Sequence, residues 1–567
     1  MRLLHGLLVA FAVASCTAPP ADTPPAAELI LTGAEIITMD SARPDAQAVA
    51  IRDGRIVGVG SAREMDAYRG PETVVRDLGG AVLAPGFIDA HGHLLNTGML
   101  AVSANLMPPP DGGVGDIPHL QAVLEAYARG VPDAALVLGF GYDDSQLAEQ
   151  RHPTRQELDA VVPDRPVAVL HQSGHLAVVN TALLKQLGWD ATTPDPAGGV
   201  IRREADGYPN GVLEEAAVFR GLAPLAARTG LAETLAMLRE GQALLVSYGF
   251  TTVQEGRAMP GQTGALIAAA EQGLLEVDVA VYPDIMAASQ DIAAPWLSRT
   301  YRKHLRVAGA KLSLDGSPQG KTAWLTEPYF RAPAGLPADY RGYPAYSDAQ
   351  VQAAVGRAYE QGWQLLVHVN GDAAIDQLIA AVRSARERFG AADRRTVAIH
   401  AQTVREDQLD AFKALGIMPS FYSMHTFYWG DWHRDSVLGP ARAARISPAQ
   451  SAIDRGMHFT SHHDAPVVMP NPARMLSSMV TRRTRSGEVL GPEQRITPYA
   501  ALRAITLDAA YQYFEEAEKG SISVGKLADL VLLSDNPLTM APDTLASDLK
   551  VLETIKAGRT IYRAPAR

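Results

Sequence analysis

The chain has one cysteine, Cys16, in 567 residues. A single thiol excludes an internal disulfide and any multi-thiolate metal site, so a metal would have to be held by His, Asp, Glu or Lys. Blocks of like charge are also lacking. The 51 basic and 62 acidic residues give a net charge of −11 with no basic cluster, which argues against nucleic acid as a partner. An acidic excess of this kind is ordinary and says nothing about a substrate's charge. Glycine (49) and proline (38) stand near average usage, so composition does not imply disorder. Beyond the N-terminus no run is apolar enough to span a bilayer. What the chain does have is apolar bulk: 47% of its residues are hydrophobic, enough for a large core and more than one domain.

Met1-Arg2 precede a nearly unbroken apolar stretch from Leu3 to Ala14. About a dozen residues are too few to cross a membrane and suit the h-region of a signal peptide. The stretch ends in Val13-Ala14-Ser15-Cys16, which resembles a bacterial lipobox. That resemblance implies a signal peptide over 1–16, cleavage before Cys16 and lipid on its sulfur. It also implies export to the bacterial cell envelope, with membrane contact through this anchor alone. Ordinary secretion with cleavage near the same place is the alternative. Residues 17–27 are Pro/Ala-rich and read as a tether.

Short β-like runs at Leu29–Ile37, Ala48–Val57 and Val74–Leu83 are punctuated by Gly, Asp and Pro. Matching runs occur at Ala528–Leu533 and, twice, within Leu549–Tyr562. They predict a small β-sandwich domain built from both chain ends, 28–83 with 517–567. Between them, apolar runs such as Leu365–Val367 and Val397–Ile399 alternate with amphipathic stretches such as Asp348–Gln361 and Asp372–Phe389. Strand then helix, repeated, predicts an α/β fold: a TIM-like (β/α)8 barrel over 84–516. A large insertion at about 105–240 offers no ligand that can be placed from sequence and reads as a lid over the barrel mouth.

His91-Gly92-His93 closes the apolar run Ala81–Ala90, which reads as one buried strand. Period two along a strand points His91 and His93 the same way, and two imidazoles at a strand end can hold a divalent metal. Four other apolar runs end in, or carry, a metal-competent side chain: Lys311 within Val307–Gly316, His368 after Val367, His400 after Ile399, and Asp464 within Phe459–Pro466. Active sites of barrels gather at the C-terminal ends of strands, so distance in sequence is no obstacle to convergence. Taken singly, each has a bland reading: a hydrogen-bonded strand-end His, an ion-paired barrel lysine, an Asp that shapes a turn.

In this order and spacing the set resembles the amidohydrolase superfamily. Pro85–His93 is similar to its first-strand signature and Gly520–Val531 to its C-terminal one. The amidohydrolase 3 subgroup, which includes N-substituted formamide deformylases, is resembled through Pro153–Asp159, Ser173-Gly174-His175, Lys311–Ala323, His400-Ala401-Gln402 and Asp464–Val467. The resemblance covers most of 28–565. It implies that His91 and His93 bind the more buried of two metals and His368 and His400 the second. Lys311, carboxylated by CO2, would bridge them through its carbamate. Asp464 would ligate a metal and accept the proton of the attacking water. A carbamate requires a desolvated lysine of lowered pKa. Two zinc ions are expected, with Mn, Fe or Co as alternatives. Zinc lowers the pKa of bound water to about 7, and a nearby carboxylate can carry that proton to a leaving nitrogen. A homodimer is the common assembly of such folds.

Two departures from the family pattern stand out. Ser461-His462-His463 replaces the small residues common before the last Asp, which puts His462 on the face of Asp464, and Ile399 stands where an acidic residue often precedes the His. His175 and the aromatic run Ser423–His433, with His425 and Trp429, are expected with His462 to contact substrate. Glu214, Glu215 and Glu255 read as solvated or helix N-terminal charges. The expected activity is metal-dependent hydrolysis of a C–N bond in a small amide-like molecule: an amide, an N-substituted formamide or a cyclic amide. The alternatives are a deaminase, favoured by a single metal, an ester or lactone hydrolase on the same site, or an inactive surface scaffold.

Overall fold

The computed structural model describes residues 25–226, 230–333 and 335–565. The signal peptide, Cys16 and most of the tether lie outside the described residues. Among those described, no helix is long and apolar enough to cross a membrane.

The centre of the molecule is parallel sheet. Its strands are β1 (Phe87–Ile88), β2 (Phe250–Ala258), β3 (Asp278–Pro283), β4 (Gly309–Ser313), β5 (Gln364–Val369), β6 (Thr396–His400), β7 (Ile417–Phe421) and β8 (Thr460–Ser461). β1, β2 and β3 lie side by side in one sheet, with Leu305–Val307 on its outer edge, and β4 to β8 follow in chain order in a second. Asp284, just past β3, pairs in parallel with Lys311 of β4, and the Ile285 N–H donates to the Lys311 carbonyl at 2.8 Å. After β8 the Asp464 N–H donates to the His91 carbonyl at 3.1 Å, and the His93 N–H to Ala465 at 2.9 Å. The two sheets therefore meet at both of these edges.

These strands read as apolar because both faces are covered. β5, Gln-Leu-Leu-Val-His-Val, is buried throughout. Helices Asp348–Glu360 and Asp372–Phe389 form where the amphipathic pattern predicts them. The first turns Val351, Ala354, Val355, Ala358 and Tyr359 to the core, on i, i+3, i+4, i+7 and i+8 spacing, and starts from a Ser347–Gln350 capping box.

At the chain ends, Leu29–Thr32, Ala48–Arg52, Arg55–Gly60 and Val74–Asp77 make a four-stranded sheet. Glu35–Ile36, Val82–Pro85, Leu530–Leu533, Val551–Lys556 and Arg559–Arg563 make a five-stranded one. Leu31, Val49 and Ile51 of the first share a core with Leu83, Leu530 and Ile555 of the second. Each of the three N-terminal runs read as a strand is in fact two strands. The run Ala81–Ala90 divides as well: Val82–Pro85 runs antiparallel to Leu530–Leu533, whereas Phe87–Ile88 joins β2. The chain changes sheet at Gly86, whose N–H donates to Asp529 and whose missing Cβ would lie 2.5 Å from the Thr251 side chain. Periodicity within one run cannot reveal such a handover.

The insertion is a folded unit. Gly199–Arg203, Pro209–Glu215, Leu176–Val179, Val167–His171, Val137–Tyr142 and Ala104–Asn105 form, in that order, a mixed six-stranded sheet with apolar clusters of its own. Helix Leu231–Ser247 already buries Leu238, Leu245 and Val246 in the core of β1 and β2, so the chain returns before residue 240.

Candidate metal centre

All six expected ligands converge at the C-terminal ends of the parallel strands. Asp89, just past β1, accepts the His91 N–H at 3.0 Å and shapes the turn that aims the two histidines. Gln254 of β2 gives its amide N–H groups to the Ala90 carbonyl and the Tyr513 hydroxyl, so its Oε1, 2.6 Å from His91 Nδ1, can only accept. His91 therefore carries its proton on Nδ1, and its Nε2 lone pair faces Lys311 Nζ at 2.9 Å. Asp464 Oδ1 lies 3.5 Å from His91 Nε2 and 3.3 Å from His93 Nε2. Its Oδ2 lies 3.9 Å from His400 Nε2, which is 3.1 Å from His368 Nδ1. The His368 Nε2 proton goes to the Gly316 carbonyl at 3.2 Å.

This arrangement suits cations. Burial holds His91, His368 and His400 well below the ordinary histidine range, so their lone pairs are available. Asp464 Oδ1 is buried with no hydrogen-bond partner among the described residues. Two overlapping donor sets share that carboxylate: His91, His93 and Asp464, and His400, His462 and Asp464. Lys311 is 1% exposed, and burial pushes it down to about 7. His400, Ala401 and Asp464 hold left-handed backbone, with φ of 70°, 43° and 54°. Strain of this sort persists only where surrounding contacts impose it.

Burial would lower His93 as well, but the Asp464 and Glu255 carboxylates overcome it and raise His93 to about 9. Metal-free protein therefore carries a proton on His93 at neutral pH. Because the folded pKa is raised, that pair stabilises the metal-free fold below the usual histidine pKa and stops doing so as pH rises through about 9. The same proton would block His93 as a ligand, so affinity for a divalent ion such as zinc should climb up to roughly tenfold per pH unit between about pH 7 and 9. Zinc titrations of metal-free protein across that window check this; a flat profile would exclude His93 as a ligand.

His462 was expected to contact substrate, and the structure corrects that. It is fully buried, with Nε2 3.0 Å from His400 Nδ1 and Nδ1 2.9 Å from Ser420 Oγ, so it sits among the donors and not at a surface open to substrate. His175 Nδ1 bonds Glu215 at 2.8 Å and its ring lies 5.3 Å from that of His368. Of the three glutamates none is solvated, although Glu214 and Glu215 do stand just before helix Ala216–Ala226 and Glu255 meets the first turn of Leu94–Met99. Glu255 is 1% exposed, accepts the Leu95 N–H and faces His93 Nδ1 at 3.8 Å; Glu215 holds His175; Glu214 pairs with Arg202. Gln254 and Asp315, which accepts the N–H groups of Trp324, Asn370 and Gly371, also shape the site and are not marked in the sequence. Neither carries a local signal, since each acts on residues far away in sequence.

His425 and Trp429 are buried behind Tyr422, whose ring lies 5.2 Å from that of His462. His425 packs 4.6 Å from both Tyr422 and Trp429. The insertion ties this wall down. Trp429 Nε1 donates to Asp143, the Tyr428 hydroxyl to Asp111 at 2.8 Å, and the Gln146 amide to the Tyr428 carbonyl at 3.2 Å. Asp143→Ala leaves a buried indole N–H without its acceptor, so it should cost about 1–3 kcal/mol in denaturant titrations and change tryptophan emission. Unaltered stability and emission would show the tie to be idle.

A family model described as the amidohydrolase family matches residues 74–562. An N-substituted formamide deformylase from Arthrobacter pascens is 28% identical over 550 residues, spanning 94% of this chain and 98% of that protein. Protein LONG AFTER FAR-RED 3 from Arabidopsis thaliana is 28% identical over 568 residues, spanning 95% and 93%. Among solved structures, an uncharacterized metal-dependent hydrolase from Pyrococcus horikoshii aligns with a TM-score of 0.73 at 23% identity, covering 91% of this chain and 99% of that one. That last likeness is one of fold.

Proposed function

Since this chain belongs to the amidohydrolase family, we propose that it is a metal-dependent hydrolase that cleaves the C–N bond of a small amide-like molecule, with N-substituted formamides the first class to test. One observation carries the reading: a buried carboxylate oxygen without a hydrogen-bond partner among the described residues, Asp464 Oδ1, lies 3.5 Å from the neutral His91 imidazole and 3.3 Å from His93, beside a buried lysine. In metal-free protein only the His93 proton offsets that charge, and a divalent ion would satisfy the remaining lone pairs.

His91, His93, His368, His400 and Asp464, together with Lys311 as its carbamate, would hold two divalent ions. Imidazole and carboxylate donors suit zinc first, then Mn, Fe or Co. When bound, the ions supply Lewis acidity toward a carbonyl and lower the pKa of water. The chain's own residues do the rest. Gln254 fixes the His91 tautomer and Glu255 stands behind His93. Asp464 takes the proton of the attacking water and hands it to the leaving nitrogen, which departs as a neutral amine. Lys311, near 7, offers an unprotonated amine at neutral pH; its nitrogen adds to the carbon of CO2 and loses a proton.

We read the two parallel sheets as halves of one (β/α)8 barrel and the end sheets as one β-sandwich; the pairings at Asp284–Lys311 and Asp464–His91 support the former, the shared core the latter. A lipid anchor at Cys16 in the cell envelope rests on Val13–Cys16 alone. The test of the activity is reconstitution with zinc and bicarbonate, followed by assays on N-alkyl and N-aryl formamides, cyclic amides, lactones and aminopurines. Amine release from the amides supports the reading. Ammonia release from aminopurines alone, or no turnover by a fully metal-loaded protein, overturns it.

A further inference from the structure

β2 runs past the metal centre residue by residue. Gln254 holds His91 and Glu255 faces His93. Gly256 lies against the His91 ring so closely that a Cβ there would be 2.4 Å from its Cε1. Arg257 comes next. Its Nε donates to Asp284 Oδ2 at 2.8 Å, and Asp284 is the residue paired in register with Lys311. Asp284 is itself fixed, because its Oδ1 accepts the N–H groups of Met286 at 2.8 Å and Ala287 at 3.0 Å.

One edge of the guanidinium is thus pinned beside the centre. Nη1 and Nη2 have no hydrogen-bond partner among the described residues, and the side chain is 22% exposed. The exposed ring of Phe219 lies 5.2 Å from the guanidinium, and exposed Met286 follows Asp284. A fixed fork with a free outer edge and apolar flanks matches a carboxylate attached to an organic body. A guanidinium binds carboxylate through two parallel N–H···O bonds, and the fork loses little freedom when it is already held.

We propose that Arg257 is the receptor for a substrate carboxylate, which makes the preferred substrates N-acyl compounds that carry an acid group. The proposal rests on the hydrolase reading. Asp284 has its own backbone partners and needs only Nε, so a purely structural Arg257 would have no use for its outer edge.

The test uses metal-loaded protein and two probes, N-acetylphenylalanine and its neutral carboxamide. Binding is followed by calorimetry and hydrolysis by amine release. Wild type should bind the carboxylate at least about tenfold more tightly than the carboxamide. Arg257→Met should erase that preference while carboxamide binding changes less than about twofold, and Arg257→Lys, which keeps the charge but not the fork, should restore it only in part. Equal binding of both probes to wild type overturns the proposal. So does a preference that survives in Arg257→Met, since the carboxylate would then be sitting on the metals. Failure of the hydrolase reading looks different: the probes bind as described and neither is cleaved.

Discussion

Asp464→Asn is expected to lower kcat by about a thousandfold, within the range that a positioned acid or base contributes. The substitution keeps the shape and one acceptor oxygen but removes the charge. In the native site that charge is held by its neighbours: burial opposes it, yet the close contact and charge of His93 keep the carboxyl well below the usual carboxylate range. Asparagine cannot take a proton from water at neutral pH, so turnover should fall even where zinc fills the site. Measuring kcat and bound zinc on the same samples separates the two roles of this residue. Full zinc occupancy with kcat down a thousandfold is the expected result. A variant within tenfold of wild type at full occupancy would remove Asp464 as the base.

Asp464 and the five expected ligands around it were legible because each closes or lies in an apolar run, and strand ends are where parallel sheets expose chemistry. Convergence follows from topology, which the alternation of strand and helix conveyed. What the sequence hid are the residues whose meaning comes from a distant neighbour. Glu255 stands in Val-Gln-Glu-Gly-Arg, a polar string at a strand end that suggests solvent. It is buried because β1 pairs with β2 and brings the Leu95 N–H and His93 against it. His462 shows the opposite limit. Period two placed it on the face of Asp464, but only Ser420 and His400, on other strands, determine that it is buried among the donors. The division of Ala81–Ala90 between two sheets was invisible for the same reason: apolar alternation states that a strand is buried, not against which partner.

The variant Lys311→Met should become more stable and lose activity together. Three lysines among the described residues are almost fully buried, and they divide by partner. Lys519 lies 2.6 Å from Asp278 and 2.8 Å from Glu515, and Lys556 lies 2.6 Å from Asp278 and 2.7 Å from Asp529. These pairs raise Lys519 despite its burial. Lys311 has no carboxylate in ion-pair contact among the described residues, only His91 Nε2, and burial drives it down to about 7. A lysine of the first kind holds the fold together. A lysine of the second kind is a cost to the fold unless something reacts with it. An apolar chain of similar volume removes that cost, so Lys311→Met should gain about 1–3 kcal/mol in metal-free protein. The same change removes the nitrogen that would carry the carbamate, so metal content should drop from about two ions to one and kcat by at least about a hundredfold. Thermal unfolding of metal-free samples and elemental analysis of loaded ones give the two readings. Destabilisation with both ions retained would make Lys311 a structural residue like Lys519. Loading wild type without CO2 supplies the complementary result: occupancy stalls at one ion and recovers on adding bicarbonate if the amine is the reactive group, and reaches two at once if it is not.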